Sequence, residues 1–185
     1  VLLCAGRLSR EKGFDIALEA FARVWQELPE ARLIIAGGGA EQEGLVAQSA
    51  ALGLQEAVDF HGWVSPPEMP AVLNQATAVV VPSRLEGFGL VALEASLMGR
   101  PVIASRVGGL PEALGEQEEA GLLVPPGDPG ALATAMLRLL RDPAEARRRG
   151  KAGRLRAQRE FPPGRHIDGY HALYMRVVKE TSSIA

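Results

Sequence analysis

The sequence predicts an α/β fold: a doubly wound parallel sheet of about six strands flanked by helices, with a helical C-terminal tail. Three observations carry this. Short apolar runs recur between amphipathic stretches of helical length. The runs are apolar almost throughout rather than alternating, as strands covered on both faces must be. From about residue 142 the pattern turns helical and charged, with no further strand-like run. At 185 residues the chain is long enough to bury one such core, and its composition is that of an ordinary globular protein.

The elements follow in order. "VLLCA" (1–5) is the first strand. Cys4 within it reads as a small buried core residue. As the sole cysteine it excludes an internal disulfide, which suits a reducing cytoplasm. In 14–28, Phe14, Leu18, Phe21, Trp25 and Leu28 fall at spacings of three and four, an amphipathic helix. "RLIIA" (32–36) precedes a helix at 41–52, and "AVDF" (57–60) precedes one at 67–75. "AVVVP" (78–82) leads to a helix at 89–98, stopped by Gly99 and Pro101. After "PVIAS" (101–105), Pro111 suits a first helical turn. "GLLVP" (121–125) precedes a helix at 130–141. A last helix at about 165–179 carries Ile167, Tyr170, Leu173, Tyr174 and Val177 on one stripe. The chain divides into a ligand-binding domain, 1–160, and a C-terminal helical piece, 161–185. It begins at Val1 inside a strand-like run, which reads as a piece cut from a longer protein.

A net charge of -2 gives no reason to expect nucleic acid. The longest uncharged run, "MPAVLNQATAVVVPS", is too short to span a bilayer, and no signal peptide is visible. The basic stretch "ARRRGKAGRLRAQREF" (146–161) reads as a solvated helix face; its rival is peripheral attraction to anionic lipid headgroups.

In a doubly wound sheet, ligands bind beyond the carboxyl ends of the strands. After the first strand, "GRLSREKGF" offers Gly6 and Gly13 with Arg7 and Lys12, a rigid fork and a mobile point charge that both suit phosphate oxygens. It is neither a dinucleotide fingerprint nor a Walker A loop. Arg10 and Glu11 look solvent-facing. After the second strand, Gly38 sits in a triple glycine that permits close backbone approach. After the third, His61 reads as a base, a stacking partner or simply a structural residue at a strand end, and the segment 61–65, with Val64, as a candidate wall for a nucleobase. After the fourth, "EGFGL" places Gly87 and Gly89 at a strand-to-helix turn, whose free N–H groups and dipole make an anion site. Glu86 precedes that turn and Glu94 lies inside the helix. A carboxylate beside a phosphate site suits neutral hydroxyls, and a vicinal diol offers two. Phosphate in the middle with a sugar on each side is the shape of a nucleotide sugar. After the fifth strand, Gly108 and Gly109 permit close approach, and Glu112 reads equally as a helix-start charge.

"GRLSREKG", "VVVPSRLEGFGLVALEASLMGRPVIAS", "VGGLPE" and "GLLVPPGDPGALATAM" together resemble the donor-binding half of glycosyltransferase family 4, the retaining group 1 enzymes of the GT-B fold. The resemblance runs in order over most of 1–150 and implies a Rossmann-like domain. Glu86 and Glu94 match the family's E-x7-E pattern. The resemblance implies that Glu94 binds ribose hydroxyls and Glu86 the transferred sugar. It places Arg7 and Lys12 on the diphosphate, with the amides of Phe88, Gly89 and Leu90 near the phosphates or sugar. Arg7, Lys12 and Glu86 are thus the candidate catalytic residues. It implies a UDP-, GDP- or ADP-sugar donor, an acceptor on a missing amino-terminal domain, a C-terminal helix at 161–185 that packs back on that domain, and a fragment without turnover. "EQEEA" (116–120) and Leu85 depart from the family pattern.

Bond cleavage builds negative charge on the leaving diphosphate, which preorganised donors stabilise. No D-x-D motif or metal-like cluster is evident, so no metal or other cofactor is expected. A sugar-nucleotide epimerase would share the fold but not this Arg/Lys and E-x7-E set together. A phosphorylase would need a lysine for pyridoxal phosphate. A non-catalytic sugar-nucleotide-binding or interaction domain is the remaining alternative.

Overall fold

A computed structural model describes residues 1–115 and 120–182. Six strands, β1 (Leu2–Ala5), β2 (Leu33–Ala36), β3 (Val58–Gly62), β4 (Ala78–Val81), β5 (Val102–Ser105) and β6 (Gly121–Val124), form one sheet in the order β3-β2-β1-β4-β5-β6. Every pairing is parallel. This is the Rossmann-like doubly wound sheet expected from the alternation.

The side-chain period of two explains the uninterrupted apolar runs. Leu2 and Cys4 enter one core with Ala78 and Val80, while Leu3 and Ala5 enter the other with Val79 and Val81. Cys4 is fully buried, and burial pushes its thiol pKa up. The first core is closed by α1 (Phe14–Glu27), Leu45 of α2 (Gln42–Ala51) and α6 (Pro129–Arg141). The second is closed by α3 (Met69–Gln75), α4 (Leu90–Leu97) and α5 (Leu110–Leu114). Helix α1 buries more than the expected stripe: Ile16, Ala17, Ala20 and Val24 join Phe14, Leu18 and Phe21, while Trp25 and Leu28 are half-buried. Asp128 caps α6 by accepting from the N–H groups of Gly130 and Ala131, each at 2.9 Å.

Two segments differ from expectation, and a third agrees with it. Strand β3 runs on through His61 and Gly62, because a register shift opposite Ile35 and Ala36 lets Gly62 still pair with β2. Arg10–Lys12 form a single 3-10 turn, too short to leave a periodic signal, closed by Gly13 at φ 67°. The fifth strand is followed by a real helix, α5, with Pro111 in its first turn. Of the departure noted at 116–120, residues 116–119 lie outside the described residues.

The tail is two helices, α7 (Pro143–Glu160) and α8 (Pro163–Ser182). The solvated-face reading of 146–161 holds for part of α7 only. Arg147, Lys151 and Arg154 are exposed. Arg149 instead donates to the Gly121 carbonyl and, at 2.8 Å, to Glu145, while Arg156 donates to the Glu112 carbonyl at 2.8 Å. Gly150 explains the fit: a Cβ there would lie 2.0 Å from the Gly99 carbonyl oxygen. On α8, Ile167, Tyr170, Leu173, Tyr174 and Val177 are exposed. Among the described residues no helix is long and apolar enough to cross a membrane.

Candidate functional site

Strand order reverses between β1 and β4, because β1 leads outward to β2 on one side and β4 to β5 on the other. The loops leaving those two strands must part, and a crevice opens between them. A cleft of about 280 Å³ lies there, lined among others by Lys12, Ser83, Glu86, Phe88, Gly89 and Leu90.

Lys12 and Glu86 meet across it, Nζ to Oε2 at 2.8 Å, both largely buried. Ser83 Oγ donates to the same oxygen at 3.1 Å. Gly89, at φ 92°, begins α4 without a side-chain cap, so the first-turn N–H groups point out unpaired by any side chain. Leucine at 90 is two-thirds exposed at the cleft mouth. Phe88 packs edge-on against Phe161, ring centroids 5.2 Å apart. The Glu86 loop is cradled from below: the Gly109 N–H donates to the Gly87 carbonyl at 3.0 Å, and a Cβ on Gly108 would lie 1.7 Å from the Glu86 carbonyl oxygen.

Glu94, further along α4, faces a neighbouring cavity of about 310 Å³ with Val64, Pro66, Met69, Leu73 and Met98. This apolar surround desolvates the carboxyl and raises its pKa above the usual glutamate value. Val64 and Glu94 therefore line the same cavity. His61 stands apart, half-exposed, with Nδ1 3.6 Å from Asp59 Oδ2. Gly6 and Gly38 lie in adjacent loops, where the Gly6 N–H donates to Ala36 O and Leu8 N–H to Gly38 O, each at 2.9 Å. Arg7 does not line the cleft: it is 71% exposed and paired with Glu11 at 2.9 Å. Glu11 is consequently half-covered rather than fully solvent-facing.

Sequence reading passed over Ser83, Arg84 and Asp15. Arg84 donates to both Asp15 oxygens, at 2.7 and 2.6 Å. Arg84 and Asp15 are 69 residues apart in sequence, so nothing local marks that pair, whereas Ser83 acts locally on Glu86, three residues on; the one available signal was their closeness in sequence to Glu86 and Lys12. Among the described residues no group of three or more His, Cys, Asp or Glu is placed to hold a metal ion.

With this geometry in view, residues 1–156 match the sequence profile of the group 1 glycosyl transferases. The chain is 41% identical over 160 residues to the glycogen synthase of Mycobacterium tuberculosis, covering 86% of this chain and 38% of that protein. It is 36% identical over 183 residues to the D-inositol 3-phosphate glycosyltransferase of Segniliparus rotundus, covering 97% and 40%. It thus spans about two-fifths of the length of these curated relatives. Among solved structures it superposes on sucrose-phosphate synthase from Thermosynechococcus elongatus with a TM-score of 0.89 and 37% identity, over 97% of this chain and 46% of that one. It superposes on Anabaena HepE, solved in complex with UDP, with a TM-score of 0.80 and 26% identity, over 98% and 48%. The chain belongs to the group 1 glycosyl transferases, and its sheet is one half of their GT-B fold.

Proposed function

We propose that this chain is the donor-binding half of a retaining glycosyltransferase that moves a sugar from a nucleotide-diphosphate sugar to an acceptor hydroxyl. The observation that carries the reading is the Lys12–Glu86 pair on the cleft at the β1/β4 switch point, beside the uncapped start of α4. The UDP bound to HepE, a structural neighbour, supports a nucleotide donor.

The charges divide by role. Lys12 and the α4 amides take the diphosphate, whose negative charge grows as the sugar–phosphate bond breaks. Glu86 is fixed by Lys12 and Ser83, and its remaining acceptor capacity serves sugar hydroxyls. Glu94 accepts from the ribose diol, with the base against Val64. Arg7 adds to the diphosphate site after exchanging Glu11 for phosphate oxygen. In this reading the leaving-group charge is met by cations of the chain and helix amides, so no metal is called for. Retention of configuration and the absence of turnover in this piece alone rest on the family likeness. The acceptor belongs to the part of the relatives' length that this chain does not span.

Calorimetric titration of the chain with UDP, GDP and ADP tests the reading. We expect saturable binding of one nucleotide, weakened in Glu94→Ala by about 1–3 kcal/mol, the range for hydrogen bonds to a charged group. Equal affinity in the variant would remove Glu94 from the donor site.

A further inference from the structure

The Lys12 side chain is a point charge on a flexible stem, and its position depends on the backbone that carries it. That backbone is a single 3-10 turn, and Glu86 sits on an irregular loop, so neither is held by a regular ladder of hydrogen bonds. The two segments are instead tied to each other. The backbone N–H groups of Arg84 and Leu85 donate to the Glu11 carbonyl at 2.7 and 3.3 Å. The Arg84 guanidinium donates to the Arg10 carbonyl at 3.0 Å and to both Asp15 oxygens. Gly13 lies so close to β4 that a Cβ would stand 2.1 Å from the Pro82 carbonyl oxygen.

We infer that Arg84 and Asp15 are positioning residues of the donor site, their forked pair locking the turn that carries Lys12 onto the loop that carries Glu86. The inference rests on the donor-site reading above. Arg84 lies two residues before Glu86 and Asp15 three after Lys12, so the clamp lies beside the catalytic pair on both segments. Neither side chain lines the cleft, which separates this role from substrate contact. Both are more than a third exposed, where an ion pair adds little to global stability, so local placement is its main effect. The Arg84 guanidinium holds the Asp15 carboxyl below the usual aspartate range. A fork is required: a lysine at 84 keeps the charge but cannot reach two carboxylate oxygens and the Arg10 carbonyl together.

Two measurements on the chain test this. The first is a double-mutant cycle in unfolding, Lys12→Met against Glu86→Gln, run in the native and Arg84→Lys backgrounds. The coupling between Lys12 and Glu86 is expected to fall to zero in Arg84→Lys. Equal couplings in the two backgrounds, zero included, overturn the clamp. The second is titration with UDP, GDP and ADP. Arg84→Lys and Asp15→Asn are each expected to weaken the nucleotide that binds about tenfold, the size of one charge-assisted hydrogen bond. The double variant should be no worse than either single one, because both remove the same fork. Undiminished affinity in both single variants overturns the clamp. A native chain that binds none of the three removes the donor reading instead, and the unfolding cycle, which needs no ligand, still decides the clamp.

Discussion

At the scale of single residues, the site depends on one carboxylate and on the glycine beneath it. Glu86 is held from above by Lys12 and Ser83 and from below by the turn at 107–109. Gly108 sits at φ 52°, and the backbone oxygen a Cβ would strike cannot rotate away. Gly108→Ala should therefore destabilise the chain by more than the roughly 1–2 kcal/mol of a left-handed alanine. Thermal unfolding should register this as a fall of about 4 °C or more in Tm. The same variant should bind nucleotide more weakly, because the Glu86 carbonyl must retreat and take its side chain with it. A native-like Tm would show that the turn can open without cost.

At the scale of elements, α7 shows how a highly charged helix can still be structural. Its first turn forms a capping arrangement in which Asp142 accepts from the Glu145 N–H at 2.8 Å. Glu145 is buried at 8% exposure, and its carboxylate accepts from Arg138 and Arg149 at 2.9 and 2.8 Å. Arg149 carries the contact on to the start of β6 through the Gly121 carbonyl. Hydrogen bonds from Arg138, then Arg149, hold the Glu145 pKa below its usual value. A depressed carboxylate stabilises the fold above its unfolded pKa of about 4.3, and the contribution is lost as pH falls through the folded value. Glu145→Gln should thus cost about 2 kcal/mol at pH 7. Denaturant unfolding should show the gap to the native chain closing as pH falls below about 4. A gap independent of pH would mean that packing, not charge, is what the substitution disturbs.

At the scale of the whole molecule, the sheet and its two cores close without α8. The described side chains of that helix stay open to solvent, Ile167 and Tyr174 at about two-thirds. We propose that the sheet domain folds without the chain beyond Pro162. A chain ending at Pro162 keeps the Phe88–Phe161 contact and should unfold in one cooperative transition. Its Tm should lie within about 3 °C of the longer chain, which corresponds to roughly 1 kcal/mol in a domain of this size. A broad, non-cooperative melt would place α8 in the core. The apolar stripe on α8, Ile167, Tyr170, Leu173, Tyr174 and Val177, is exposed to solvent in this chain.

The sequence by itself determined the alternation of strands and helices, the cover of the strands on both faces, and the residue types of the loops. These are short-range properties: periodicity, glycine, proline and the identity of a charged side chain act over a few residues. Lys12, Glu86 and Glu94 were legible because their residue types sit in the loop and helix that follow strands. Only the tertiary structure decided who meets whom. The switch between β1 and β4 brings Lys12 to Glu86, 74 residues away, and Asp15 to Arg84, 69 away. It leaves Arg7 outside the cleft on Glu11 and gives Glu94 a cavity of its own. Those pairings follow from which strand ends lie side by side, and that is settled by the burial of two cores rather than by any local pattern.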